Sequence, residues 1–112
     1  MQRDLQYLLD RLQSAKLILS YVAKCSQDDF LADIQLQDSV IRRLLIIAET
    51  AKRISIETQQ SLPNIPWQEI NGMKNRLVHG YDDIDLTIVW NVVQFKLPDL
   101  IYELEKFFPS IQ

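Results

Sequence analysis

The chain has 112 residues, 47% hydrophobic and 24% charged, the balance of one globular domain, neither disordered nor large enough for two cores. Its net charge of −3, from 12 basic and 15 acidic residues, excludes a surface that coats nucleic acid by bulk attraction. The single cysteine, Cys25, excludes an intrachain disulfide or a cysteine metal cluster, and the longest aliphatic run, Leu44 to Ala48, is far too short for a bilayer. Met1-Gln2-Arg3-Asp4 leads directly into an amphipathic pattern rather than a signal-peptide core, so the cytoplasm is the expected compartment.

Leu5, Leu8, Leu9, Leu12, Ala15, Leu19 and Val22 recur at helical spacing and predict a first helix from about Asp4 to Cys25. Ser26-Gln27-Asp28-Asp29 suits a stop followed by a cap. A second, long helix is expected from about Phe30 to Gln59, with two apolar stripes. One holds Ile34, Ile41, Leu44 or Leu45, Ala48 and Ala51; the other holds Val40, Leu44, Ile47 and Ile54. So wide an apolar surface fits either a central core helix or one whose second face meets another copy of the chain. Ser61 to Ile65 reads as a loop, and Pro66 suits the first position of a third helix. That helix is expected to bury Trp67, Ile70, Met73 and Leu77 and to stop at Gly80. Asp82 to Asp85 makes a turn with Asp85 as N-cap, and the last helix runs from Leu86 to Phe107 or Phe108. Pro98 inside it predicts a bend, because its nitrogen cannot donate to the Gln94 carbonyl. No segment alternates like a strand. Residues 1–112 therefore form a single all-α domain, a bundle of four or five helices.

Chemistry concentrates between Ile65 and Tyr81, which holds the only histidine and both glycines. From Arg42 to Tyr81 the chain carries six basic residues against three acidic ones, a local positive site on an acidic body. His79 is the one ordinary candidate for proton transfer near neutral pH. Near a helix C-terminus its imidazolium is supported by the macrodipole, although a histidine that only satisfies terminal carbonyls would sit there equally well. Arg76 and Asn75, three and four residues earlier, share its face. Lys74 lies roughly 140° away on a straight helix. Either the helix unwinds near Gly80, or two chains assemble the site. Tyr81 is either an exposed hydroxyl open to modification or a half-buried aromatic closing the core. Cys25 reads as an inert residue at a helix end. Asp82, Asp83 and Asp85 are explained by turn formation and capping, and neither a metal nor a cofactor is implied by any spacing in the chain.

Gly72-Met73-Lys74-Asn75-Arg76-Leu77-Val78-His79-Gly80-Tyr81 resembles the signature of the HepT-like group of HEPN domains: an arginine, a short spacer, a histidine, any residue, then tyrosine. The similarity extends to Phe30…Asp33…Gln37-Asp38-Ser39-Val40-Ile41-Arg42, Ile47 to Arg53, Ile65-Pro66-Trp67, and Val89-Trp90 through Leu97-Pro98. The resemblance implies an antiparallel helical bundle that forms a homodimer, with the motif residues of both chains lining a cleft. It implies a metal-independent endoribonuclease in which His79 is acid or base while the ribose 2′-hydroxyl attacks phosphorus. The position of the motif arginine holds phosphate charge; Asn75 and Arg76, which helical spacing places on the face of His79, are the expected supporting residues. It further implies the toxin of a type VII-like toxin–antitoxin pair, silenced when an MNT-type nucleotidyltransferase antitoxin transfers AMP to Tyr81. The chain departs from the pattern at Lys74, which keeps the positive charge of the motif arginine but not its bidentate grip. Arg76 stands too close to His79 to replace it. The alternative carried by that departure is a non-catalytic binding partner of a nucleotidyltransferase.

Overall fold

The computed structural model describes residues 2–51, 53–69, 72 and 84–108. Every regular element among them is helical. Helix α1 spans Gln2–Val22 and buries Leu8, Leu12, Ala15, Ile18 and Val22. The buried stripe is centred one residue from the expected position: Ile18 is inside, Leu19 only partly, and Leu5 is exposed.

The long second helix expected from Phe30 to Gln59 is instead three: α2 (Gln27–Ala32), α3 (Ile34–Ala51) and α4 (Ile56–Ser61). Apolar periodicity continues across both breaks, which is why spacing alone reads as one helix. Short polar side chains compete locally for the backbone and win. Ser26 opens α2 with a capping box: its hydroxyl accepts the Asp29 N–H at 3.1 Å, and the Asp29 carboxylate accepts the Ser26 N–H at 3.0 Å. Asp33 is extended and its carboxylate accepts the Leu36 N–H at 3.0 Å, starting α3. Gln37 donates its amide to the Phe30 and Leu31 carbonyls at 2.9 and 3.1 Å, satisfying acceptors stranded at the end of α2. Ser55 caps α4 through the Thr58 N–H. Gln59 donates to the Ala51 and Ile54 carbonyls, the counterpart of Gln37 at the next break.

After the loop at Leu62 to Pro66, residues 67–69 and Gly72 are helical. Asp85 caps α5 (Leu86–Asn91) as expected, accepting the Thr87 and Ile88 N–H groups at 2.9 and 3.4 Å. A π turn, Val92–Lys96, joins it to α6 (Leu97–Phe107). The break expected at Pro98 takes this form: the Leu97 N–H reaches back to the Val92 carbonyl, and Pro98 falls in the first turn of α6. A widened turn accommodates a residue that cannot donate and whose ring would crowd the Gln94 carbonyl.

The core lies where α1 packs against α3 and α6. Val40, Leu44, Ile47, Ala48 and Ala51 come from α3, and Val89, Val93, Leu97, Leu100 and Leu104 from the C-terminal run. Each buried Leu or Ile stabilises the fold by about 1.5–3 kcal/mol. Phe30 of α2 is fully buried and meets Trp90 of α5 with ring centroids 5.4 Å apart, so the two short helices lock together. One apolar stripe of α3 is thus consumed by the core. The other is consumed only at its C-terminal end, where Ala48 and Ala51 are in the core; Ile34 is 72% exposed, and Ile41 and Leu45 are half-buried.

Candidate active site

Lys74, Asn75, Arg76, His79 and Tyr81 lie outside the described residues, as do Ile70, Met73, Leu77, Gly80, Asp82 and Asp83. What the structure provides is the frame on either side of them. Upstream, the segment is entered through Trp67. Its indole N–H donates to the Leu62 carbonyl at 3.1 Å, and the Arg11 guanidinium lies 4.8 Å from its ring centroid. Both contacts hold the turn at residues 67–69 against α1 and the preceding loop. Glu69 pairs with Lys96 at 3.5 Å, tying the same turn to the π segment. That pair is exposed and worth at most about 1 kcal/mol. Gly72 is exposed, and a Cβ placed on it would meet nothing within 4 Å, so its lack of a side chain is not needed for packing.

Downstream, the chain re-enters at Ile84, where Asp85 redirects it into α5. Ile84 and Leu86 form one wall of a groove of about 390 Å³; the other is the exposed face of α3, with Gln37, Asp38, Ile41, Arg42 and Leu45. Asp38 and Arg42 are four residues apart on one helix face. Neither has an ion pair or side-chain hydrogen bond among the described residues. Apolar spacing passes over this pair. The signal available was two opposite charges set into the Ile34, Ile41 and Leu45 stripe, on the side a core helix should keep apolar.

Arg11 is the other residue that spacing did not single out. It is fully buried, its three guanidinium nitrogens have no hydrogen-bond acceptor among the described residues, and burial pushes its pKa down to about 10.

The all-helical core and the capped entry at Asp85 make this an all-α domain consistent with a HEPN-type bundle. The ribonuclease HepT-like family profile matches residues 11–107, and the chain belongs to that family. Among its relatives, "Probable ribonuclease HepT" of Thermococcus cleftensis is 35% identical over 100 residues, covering 89% of this chain and 91% of that one. A protein of Methanocaldococcus jannaschii named "Putative RNase" is 31% identical over 105 residues, covering 93% and 96% of the two chains. A second protein of that organism, named "Gamma-glutamylcyclotransferase and putative RNase", is 36% identical over 112 residues; it matches 99% of this chain, which spans 50% of its length. No solved structure matches significantly.

Proposed function

We propose that this chain is a metal-independent endoribonuclease and the toxin of a type VII-like toxin–antitoxin pair, acting as a homodimer in the cytoplasm. The observation that carries the reading is the Lys74-to-Tyr81 motif in a chain of the HepT-like ribonuclease family. In the proposed reaction a neutral His79 imidazole takes the proton of the ribose 2′-hydroxyl. The freed oxygen attacks the adjacent phosphorus, the bond to the 5′ oxygen breaks, and a protonated imidazole from a second copy returns a proton to that oxygen. The products are a 2′,3′-cyclic phosphate and a 5′-hydroxyl. Lys74 neutralises the phosphate as a point charge, with Arg76 and Asn75 beside it. An MNT-type nucleotidyltransferase silences the site by placing AMP on Tyr81, which adds a bulky anion where RNA must bind.

RNA cleavage by the purified chain tests this. Activity should persist in EDTA and be abolished by His79→Ala. Lys74→Arg should raise it by about 10²–10³-fold, the effect of one well-placed contact to developing charge. AMP transfer should suppress cleavage and spare Tyr81→Phe, read by intact mass on the same samples. Lys74 also favours a second reading, a non-catalytic partner that presents a substrate to the nucleotidyltransferase. Equal inactivity of the lysine and arginine forms would select it.

A further inference from the structure

We infer that the α3 face lining the groove is the seat of a second copy of the chain, packed antiparallel about a two-fold axis. Two reciprocal ion pairs set its register, Asp38 of each copy with Arg42 of the other; this rests on the homodimer reading. Ile34 is 72% exposed and Ile41 and Leu45 are half-buried on this side of α3. Ile84 and Leu86 extend the apolar surface across a groove of about 390 Å³. Into the middle of it the chain sets two exposed opposite charges, Asp38 and Arg42, one turn apart. Their spacing would allow them to pair with each other, yet neither has an ion pair among the described residues.

The order of these residues is its own complement when reversed. The midpoint of Ile34 and Leu45 falls between Ser39 and Val40, and that of Asp38 and Arg42 falls at Val40. The two centres differ by half a residue, under about 1 Å of helix rise. A two-fold axis crossing α3 at that level sets Ile34 of each copy against Leu45 of the other, and Asp38 against Arg42, with Ile41 near its own counterpart. Such a contact is isologous, one patch used twice. Parallel α3 helices would instead set Asp38 on Asp38 and Arg42 on Arg42, so the charges select the antiparallel form as well as the register. Apolar side chains on either side shield the pairs from water, which raises the penalty for a like-charged neighbour. Ions so placed govern register and choice of partner more than raw affinity. A strand of RNA carries no two-fold pattern of this kind, and Asp38 would repel its phosphates.

Charge reversal tests the face and the register together, with dimerisation of the full chain followed by light scattering through a dilution series. Asp38→Arg leaves two positive charges on the patch and Arg42→Asp two negative ones. Each variant alone should dimerise about 100-fold less tightly than wild type. Both positions are exposed, so both chains should keep the wild-type helical circular dichroism. Asp38→Arg combined with Arg42→Asp recreates two unlike pairs and should dimerise near wild-type strength. Mixing the two single variants should give a heterodimer, which native mass spectrometry separates from either homodimer. Single variants that dimerise as tightly as wild type would overturn the proposal and leave the homodimer standing on another face. Single variants that are monomeric and rescued by neither the double exchange nor the mixture would overturn it too, since the two charges would not face each other. A monomeric wild type removes both this interface and the homodimer, and RNA cleavage by that monomer then decides the ribonuclease reading separately.

Discussion

Arg11 brings a positive charge into the interior, where the Trp67 ring is its one polar compensation among the described residues. A desolvated cation–π contact is worth about 2 kcal/mol, whereas desolvating an ion costs several. Arg11→Met keeps the length of the side chain and removes the charge. It should therefore stabilise the fold by on the order of 1 kcal/mol or more, roughly 4–8 °C in melting temperature. The pH dependence has a definite sign. Because the folded pKa, about 10, lies below the unfolded value, wild-type stability should rise as pH climbs through 10, and the methionine variant should lack that rise. Thermal melts of the two proteins check both points; an unchanged or lower melting temperature for Arg11→Met would show that the contact with Trp67 outweighs desolvation. Apolar spacing passes over Arg11 and gives no sign that it is buried, because its contact comes from a residue 56 positions away.

At the scale of elements, short helices depend on side chains from elsewhere. Asp4, in the first turn of α1, accepts the Ser55 hydroxyl at 2.7 Å, the Thr58 hydroxyl at 2.8 Å and the Ser55 N–H at 3.2 Å. These bonds, Ser55 first, hold its pKa below the ordinary value of 3.8. A depressed carboxylate stabilises the fold above that value, and the benefit is lost as pH falls through the folded pKa. Acid titration of stability should thus show a loss below about pH 4 that Asp4→Asn flattens, with the variant also less stable than wild type at neutral pH. An identical acid profile for the two would remove Asp4 as the tie between α1 and α4. The Ser26 and Asp85 caps were legible in the sequence because they use neighbours two or three residues away. The breaks at Asp33 and Ser55 were not, because apolar spacing ran through them and masked caps that reach only three residues; the Gln37, Gln59 and Asp4 contacts reinforce those caps.

For the whole molecule, the half-used apolar surface of α3 is the feature with the widest consequence. Ile34 stands open to solvent with Ile41 and Leu45 beside it, as a helix that also faces a second copy would leave them. Light scattering at micromolar concentration should give twice the 13.2 kDa chain mass, and Ile34→Glu should shift it toward the monomer without lowering the melting temperature of the isolated chain. A 13.2 kDa species for the wild type would overturn the proposed dimer.

The amino-acid order by itself determined the all-helical class, much of the core, the Asp85 and Ser26 caps and the family, because each follows from repeats and motifs readable within a few turns of chain; it misplaced Leu5, Ile18 and Ile34. Tertiary structure alone decided that α2, α3 and α4 are separate, that proline is met by a π turn at Val92–Lys96, that Arg11 lies under Trp67, and that Asp38 and Arg42 border a groove closed by Ile84 and Leu86. The last two join residues distant in sequence, about which local spacing carries no information; the helix breaks and the π turn are local, but apolar spacing runs through them unchanged.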